Sequence, residues 1–246
     1  PALFTIIIVS IPLSFIYLLP KQIEEYSISV LSTLLFISNI WFWIEDGYSY
    51  WAPINEFKPL LHTWSLAVEE QFYIFFSIFL IFIFSFFKKY FTELLLVVFL
   101  ISLSIAQFAS ENYIVANFYL LPPRGWELIA GALLAKLEFS KKRISHPTLT
   151  ATMPLLGLVI ILNSVFIFDS STPHPSVLTL YPIIGTMLII WFSKRGEFVS
   201  NILSSKILVF LGKISYSLYL WHFLLFSYAH TYYQQLDNVW TKIELE

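Results

Sequence analysis

Apolar runs of helical length alternate with short polar segments along this chain of 246 residues. A helix needs roughly 20 apolar residues to cross a bilayer, and strands that do so alternate polar with apolar positions, which these runs do not. Because backbone groups in lipid must find partners within the segment, the runs must be helices. The pattern predicts an all-α, polytopic transmembrane bundle of about eight membrane helices. They fall at 2–19, 28–44, 66–87, 92–109, 118–136, 149–168, 176–193 and 207–230.

Composition supports a membrane protein and excludes several functions. Hydrophobic residues make up 58% of the chain and charged residues 12%, against about 25% charged in soluble domains. The net charge of −2 gives no basic surface for nucleic acid, so no nucleic-acid partner is expected. The apolar composition makes membrane lipid the expected partner. Cysteine is absent and no zinc-type spacing occurs, so we expect no metal site. No repeat stands out, and residues 1–246 are interpreted as one membrane-embedded domain.

Two adjacent carboxylates, Glu69 and Glu70, lie near the start of the third apolar run. A charge at the bilayer centre costs at least ~2.5–3.5 kcal/mol, so an intramembrane acid suggests a functional site. Glutamate near a helix start also complements the helix dipole by about 0.3–1 kcal/mol, which is the structural alternative. The neighbouring polar residues His62 and Thr63 favour the functional interpretation.

A second polar pair, Arg124 and Glu127, follows two prolines at the start of the fifth run. Residues three apart on a helix lie on the same face, so the two side chains are close enough to pair. An ion pair at the membrane interface explains this arrangement as well as a function does. The functional alternative is a guanidinium clamp for an anionic group such as a phosphate.

The last apolar run carries a stripe of residues at helical spacing. Its small members, Gly212 and Ser215, are typical of close helix contact, so we expect the stripe to face the bundle interior. A histidine at this depth often only bonds a neighbouring helix, and interfacial tyrosines often form the aromatic belt. The stripe comprises Gly212, Ser215, Tyr219, His222 and Phe226.

Three segments, in this order, resemble the acyltransferase-3 family of integral membrane O-acyltransferases, which includes bacterial O-antigen and polysaccharide O-acetylases. The first reads Leu-His-Thr-Trp-Ser-Leu-Ala-Val-Glu-Glu-Gln-Phe-Tyr (61–73), and the second reads Leu-Pro-Pro-Arg-Gly-Trp-Glu-Leu-Ile-Ala-Gly (121–131). The third reads Gly-Lys-Ile-Ser-Tyr-Ser-Leu-Tyr-Leu-Trp-His (212–222), and the opening Pro-Ala-Leu-Phe resembles the start of the family's third helix. The likeness covers essentially the whole chain.

The resemblance implies transfer of an acyl group, usually acetyl, from cytoplasmic acyl-CoA to a sugar hydroxyl. It implies a multi-pass protein of the bacterial cytoplasmic (inner) membrane, with acetyl-CoA as donor substrate, no covalently bound cofactor, and an exported or envelope glycan such as lipopolysaccharide as acceptor. Family members also begin with helices carrying an Asp-Gly-x-Arg motif and the main catalytic histidine, and continue beyond the third segment. We therefore expect this chain to be part of a longer domain and inactive alone.

The resemblance also suggests roles for individual residues. Glu69 and Glu70 match the family's paired acids and are expected to support the main histidine, which lies outside these residues. His222 is expected to be a supporting acid or base. Substrate-binding roles are expected for the remaining motif residues, namely His62, Trp64, Arg124, Trp126, Glu127 and Tyr219.

Two other functions stay open at this point. A membrane transporter or acyl conduit uses buried charges of the same kind, although an inverted repeat, which would favour it, is not evident. A degenerate membrane scaffold without activity is the other alternative.

Overall fold

A computed structural model describes residues 1–46, 55, 57–140, 146–169 and 171–243, and within those ranges it contains helices and turns but no strand. The all-α prediction is therefore confirmed. The helices are α1 (Ala2–Tyr17), α2 (Pro20–Leu34), α3 (Ser38–Asp46), α4 (Thr63–Phe86), α5 (Phe91–Asn112), α6 (Ile114–Tyr119), α7 (Gly125–Ser140), α8 (Pro147–Ile167), α9 (Leu180–Phe192), α10 (Phe198–Leu203) and α11 (Lys206–Ile243).

Four segments in the described ranges are long and apolar enough to cross a membrane: Thr63–Phe86, Lys88–Asn112, Pro147–Ile167 and Lys206–Gln234. Two shorter apolar segments, Ala2–Tyr17 and Val177–Phe192, accompany them. Large apolar side chains cover much of the surface, as in Phe139 and Phe166, which are 92% and 86% exposed. Such a surface suits lipid, because hydrocarbon tails take the place of a protein partner. The chain is a multi-pass membrane protein, although the predicted count of about eight helices is not confirmed.

Two predicted helices are interrupted. The stretch 28–44 breaks between α2 and α3, where Phe36 adopts a left-handed conformation with φ of 54°. The stretch 118–136 breaks between α6 and α7, where Pro122 and Pro123 precede the new helix. Proline lacks an N–H donor and disfavours helical geometry in the residue before it, which explains the second interruption. The prediction of two continuous helices at these places is wrong.

The chain divides into two compact units, and the first comprises residues 1–71 and 212–246. Its apolar core includes Leu3 and Ile6 of α1, Tyr26 of α2, and Leu220 and Leu224 of α11. Buried hydroxyl groups join these helices. The Ser10 and Tyr26 hydroxyls lie 2.6 Å apart, as do those of Ser14 and Tyr228.

The second unit comprises residues 72–211. Within it α8 packs along α9, α5 packs along α7, and α7 also contacts α9. Gly157 of α8 and Gly185 of α9 face each other, which allows the two backbones to approach closely. The prediction of one domain over residues 1–246 stays a prediction.

Candidate functional site

The first candidate cluster lies in the first unit, where the start of α4 faces α11. Tyr219 of α11 donates a hydrogen bond from its hydroxyl to the carbonyl oxygen of His62. The Ser65 hydroxyl lies 2.7 Å from the same phenolic oxygen. Because the single phenolic proton goes to the His62 carbonyl, Ser65 is left to donate to Tyr219. The sequence did not single out Ser65, whose hydroxyl fixes this contact.

The His62 side chain is buried, with 1% of its surface exposed. Its ring lies 5.4 Å from the ring of Tyr219, 5.9 Å from that of His222 and 5.5 Å from that of Phe223. Neither ring nitrogen has a hydrogen bond of normal geometry within the described part of the chain. Burial, with the positive charge that His222 can carry, lowers the pKa of His62 to about 3, and the nearby Leu220 carbonyl opposes this only in part. His62 is therefore neutral at physiological pH.

The orientation of His222 is fixed by its own helix. Its Nδ1 lies 2.6 Å from the carbonyl oxygen of Tyr219, and because a carbonyl can only accept, Nδ1 carries the proton. In the neutral ring this leaves Nε2 as the acceptor. His222 is exposed at the surface of the described structure.

Of the predicted stripe on α11, only Tyr219 packs inward, against the start of α4. Gly212, Ser215, His222 and Phe226 are exposed, and a Cβ at Gly212 would meet no atom within 4 Å. The buried face of α11 is instead formed by a neighbouring set of residues. That set comprises Leu220, Leu224, Ser227, Tyr228 and Thr231. The prediction of an inward stripe is wrong because the small residues have no helix packed against them among the described residues.

The paired acids and their neighbours lie further along α4. Glu69 is exposed and Glu70 half-buried, and both are near enough to Tyr216 of α11 for their charges to act on it. Trp64, earlier on the same helix, is buried with 8% of its surface exposed. No contact within the described residues joins either glutamate to His62 or His222, so their supporting role stays a prediction.

Gln71 ties α4 to the break between α2 and α3. Its Nε2 donates to the carbonyl oxygen of Phe36 and to Oδ1 of Asn39, both at 2.8 Å. Nδ2 of Asn39 donates in return to Oε1 of Gln71 at 3.3 Å. The amide pair therefore holds Phe36 in its left-handed conformation, which costs about 1–3 kcal/mol in a residue other than glycine.

The second candidate cluster surrounds Arg124 in the second unit. Nη1 of Arg124 lies 3.7 Å from Oε2 of Glu127, so the predicted ion pair is present. Nε of Arg124 donates to the Phe118 carbonyl oxygen at 2.5 Å, and the guanidinium carbon lies 4.8 Å from the centre of the Phe118 ring. Only 11% of the Arg124 side chain is exposed, and 21% of that of Glu127. These contacts hold a cation in a largely buried position.

One carboxylate oxygen in this cluster has no hydrogen-bond partner in the part of the chain that the structure describes. Oε1 of Glu127 is buried and accepts no hydrogen bond within the described residues. Leaving a buried charged acceptor unsatisfied costs about 1–3 kcal/mol or more, so a ligand that donates there would be favoured. Trp126, between the two charged residues, is fully buried and packs its ring edge-on against Phe99 at 6.0 Å.

The loop before α9 also reaches this cluster, which the sequence did not predict. Asn117 Nδ2 donates to the Pro175 carbonyl oxygen at 2.8 Å, and the His174 ring lies 6.5 Å from that of Phe118. Nδ1 of His174 lies 3.0 Å from the Thr179 hydroxyl. The only signal in the sequence was a histidine between two prolines, Pro173 and Pro175. No group of three potential metal ligands occurs in the described ranges.

Comparison with known proteins agrees with this architecture. An acyltransferase domain profile, that of acyltransferase family 3, matches residues 1–243. The chain belongs to the acyltransferase-3 family. The predicted resemblance is therefore confirmed, since the match covers 243 of the 246 residues.

Two relatives come from Staphylococcus aureus strain COL. One, named provisionally as an O-acetyltransferase, is 32% identical over 221 residues, covering 83% of this chain and 35% of the relative. The other, the O-acetyltransferase OatA, is 28% identical over 249 residues, covering 96% of this chain and 40% of OatA. This acyltransferase-3 chain therefore spans well under half the length of these relatives. No solved structure matches it.

Proposed function

We propose that this chain forms part of a membrane O-acyltransferase that moves an acyl group, acetyl in the simplest case, from acyl-CoA to a hydroxyl of a cell-envelope glycan. The acyltransferase-3 match and the O-acetyltransferase names of its relatives support this proposal. The membrane-spanning helices agree with an enzyme that works at the bacterial cytoplasmic membrane. The observation that carries it at atomic level is the largely buried Arg124–Glu127 pair, in which Oε1 of Glu127 has no hydrogen-bond partner among the described residues.

The proposed reaction has three chemical requirements. The acceptor hydroxyl attacks the thioester carbonyl, and its proton passes to a base. The new C–O bond forms as the C–S bond breaks, and the CoA thiolate leaves and is protonated. The protein must therefore accept a proton, orient a hydroxyl and bind an anionic donor.

The Arg124–Glu127 pair suits the two binding requirements. A sugar hydroxyl that donates to Oε1 of Glu127 would satisfy the buried acceptor and would place the hydroxyl oxygen in a defined position. Burial raises the pKa of Glu127, and the guanidinium of Arg124 opposes this shift in part. The guanidinium is also suited to phosphate oxygens of the CoA donor. Phe118 fixes the guanidinium through its carbonyl oxygen and its ring, so little side-chain entropy is lost on binding.

His222 suits the proton-accepting requirement. The Tyr219 carbonyl holds the proton on Nδ1, and Nε2 of this exposed residue can then accept a proton from a hydroxyl or from a second histidine. In this proposal His222 is a supporting acid or base, and Glu69 and Glu70 raise the basicity of a histidine. Substrate-binding roles are proposed individually for His62, Trp64, Trp126 and Tyr219.

Ester-bound acetyl on envelope glycans, measured in cells that express the full-length protein, tests this proposal. We expect Arg124→Ala to reduce the ester content to that of cells lacking the protein, because the donor and the Glu127 carboxylate both lose their cation. Arg195→Ala is the matched control, since Arg195 is exposed. The proposal is wrong if wild-type protein adds no acyl ester, and the role of Arg124 is wrong if Arg124→Ala matches Arg195→Ala at equal membrane abundance.

A further inference from the structure

The first turn of α7 carries Glu127 and begins directly after Arg124, and its N–H groups have an unusual set of acceptors. The Gly125 N–H donates to the Leu121 carbonyl oxygen at 2.8 Å, and the Glu127 N–H donates to the Arg124 carbonyl oxygen at 3.0 Å. The N–H between them, that of Trp126, needs another acceptor. A helix normally supplies it from the side chain at its N-cap, where serine, threonine, aspartate or asparagine is preferred. Arg124 occupies that place and has no acceptor atom to offer.

Ser102 of the neighbouring helix α5 supplies the missing acceptor. Its Oγ accepts from the Trp126 N–H at 2.9 Å and donates to the Pro122 carbonyl oxygen at 2.5 Å. One hydroxyl thus forms hydrogen bonds to the backbone at both ends of the turn at residues 122–126. The side chain is buried, with 6% of its surface exposed, so water does not replace it readily.

The turn and the helix start determine where Arg124 and Glu127 point. Pro122 and Pro123 restrict the backbone before the turn, and Ser102 fixes the backbone on either side of Arg124. A Cβ at Gly125 would lie 3.4 Å from the Ser102 Oγ, so the hydroxyl packs directly on the turn. A shift of about 1 Å in a binding group can reduce an enzymatic rate ~100-fold. Loss of this contact is therefore expected to lower the reaction rate.

We propose that Ser102 is a positioning residue for the acyl-transfer site: by capping α7 from α5, its hydroxyl holds Arg124 and Glu127 in the geometry that binds the substrates. This inference rests on the proposed function of that pair. In this proposal Ser102 contacts only the protein backbone, through Pro122 and Trp126, and neither substrate. Its removal is therefore expected to act only through Arg124 and Glu127.

The chain offers a matched control on the same helix. Ser110 is also 6% exposed, and its hydroxyl bonds to the Gln107 carbonyl oxygen of its own helix at 2.7 Å. Ser102→Ala and Ser110→Ala therefore remove the same atom at equal burial from α5. Ser102→Thr keeps the hydroxyl and provides the conservative rescue. Ser102→Cys retains the shape with a much weaker donor and acceptor.

The experiment measures kcat and KM for acetyl transfer by the full-length protein in membranes, normalised to folded protein. We expect Ser102→Ala to lower kcat/KM about 10-fold to 100-fold below Ser110→Ala, with Ser102→Thr close to wild type and Ser102→Cys between them.

Each outcome decides the inference. A purely structural role predicts fewer folded molecules but unchanged kinetics per folded molecule, and that result would overturn it. If Ser102→Ala does not fold, full activity in folded Ser102→Cys would overturn it equally. Loss of activity in Arg124→Ala with wild-type kinetics in Ser102→Ala refutes the positioning role alone. Full activity in Arg124→Ala refutes the proposed function of the pair.

Discussion

Gly157 of α8 and Gly185 of α9 lie with their backbones in direct contact. A Cβ at Gly157 would lie 2.5 Å from the Gly185 carbonyl oxygen, and one at Gly185 would lie 2.8 Å from the Gly157 carbonyl oxygen. Neither separation is possible for real atoms, so a methyl group at either position must push the two helices apart.

Gly157→Ala is therefore expected to destabilise the protein by about 1–3 kcal/mol, the usual cost of forcing extra volume into a packed interface. The measurement is the thermal unfolding midpoint of the full-length protein in detergent. Gly131→Ala in α7 is the control, because its Cβ would meet no atom within 4 Å, and the substitution should gain up to about 1 kcal/mol of helix propensity. Equal midpoints for the two variants would contradict the close contact.

Gln71 and Gln107 bond through different atoms of their side-chain amides. Gln71 donates from Nε2 to Phe36 and Asn39, whereas Gln107 accepts at Oε1 from the Val177 N–H at 3.1 Å. Gln71→Glu removes the donor and sets a carboxylate against two acceptors, which should cost about 1–3 kcal/mol or more. Gln107→Glu retains its acceptor and should have little effect on the same unfolding midpoint. A Gln71→Glu variant as stable as Gln107→Glu would show that the amide does not hold the break at Phe36.

His62 makes stability depend on pH in a defined direction. Its pKa is lowered to about 3 in the folded protein, against about 6.5 in an unfolded chain. Between these values the unfolded state binds a proton that the folded state does not. The stability that His62 contributes is therefore complete above about pH 6.5 and is lost as the pH falls toward 3.

Lowering the pH from about 7.5 to about 5 should thus lower the unfolding midpoint. One histidine can change the free energy of unfolding by at most ~1.4 kcal/mol per pH unit. His62→Gln should reduce this pH dependence, whereas His146→Gln, at an exposed histidine, should leave it unchanged. If both variants retain the full pH dependence, His62 is not buried as a neutral ring.

The sequence predicted the long helices well because apolar length is a local property. The predicted stretches 66–87, 92–109 and 149–168 agree within three residues at each end with α4, α5 and α8. The Arg124–Glu127 pair was also predictable, since residues three apart meet near the start of one helix.

Contacts between residues far apart in the chain cannot be predicted from local sequence patterns. The break at Phe36 depends on Gln71, and the cap of α7 depends on Ser102, a serine within an apolar run. Periodicity shows which residues share a face but not which neighbour that face meets. The prediction that the stripe through His222 faces inward therefore rests on its small residues alone, and these are exposed.

Transfer of labelled acetyl from acetyl-CoA to glycan by the purified full-length protein tests the central claim most directly. We expect transfer by the wild type, a loss of at least about 100-fold in Glu127→Gln because the site loses its carboxylate, and near wild-type transfer in Glu111→Gln, where the carboxylate is exposed. Absence of transfer by the wild type, or equal transfer by Glu127→Gln and Glu111→Gln, would contradict it.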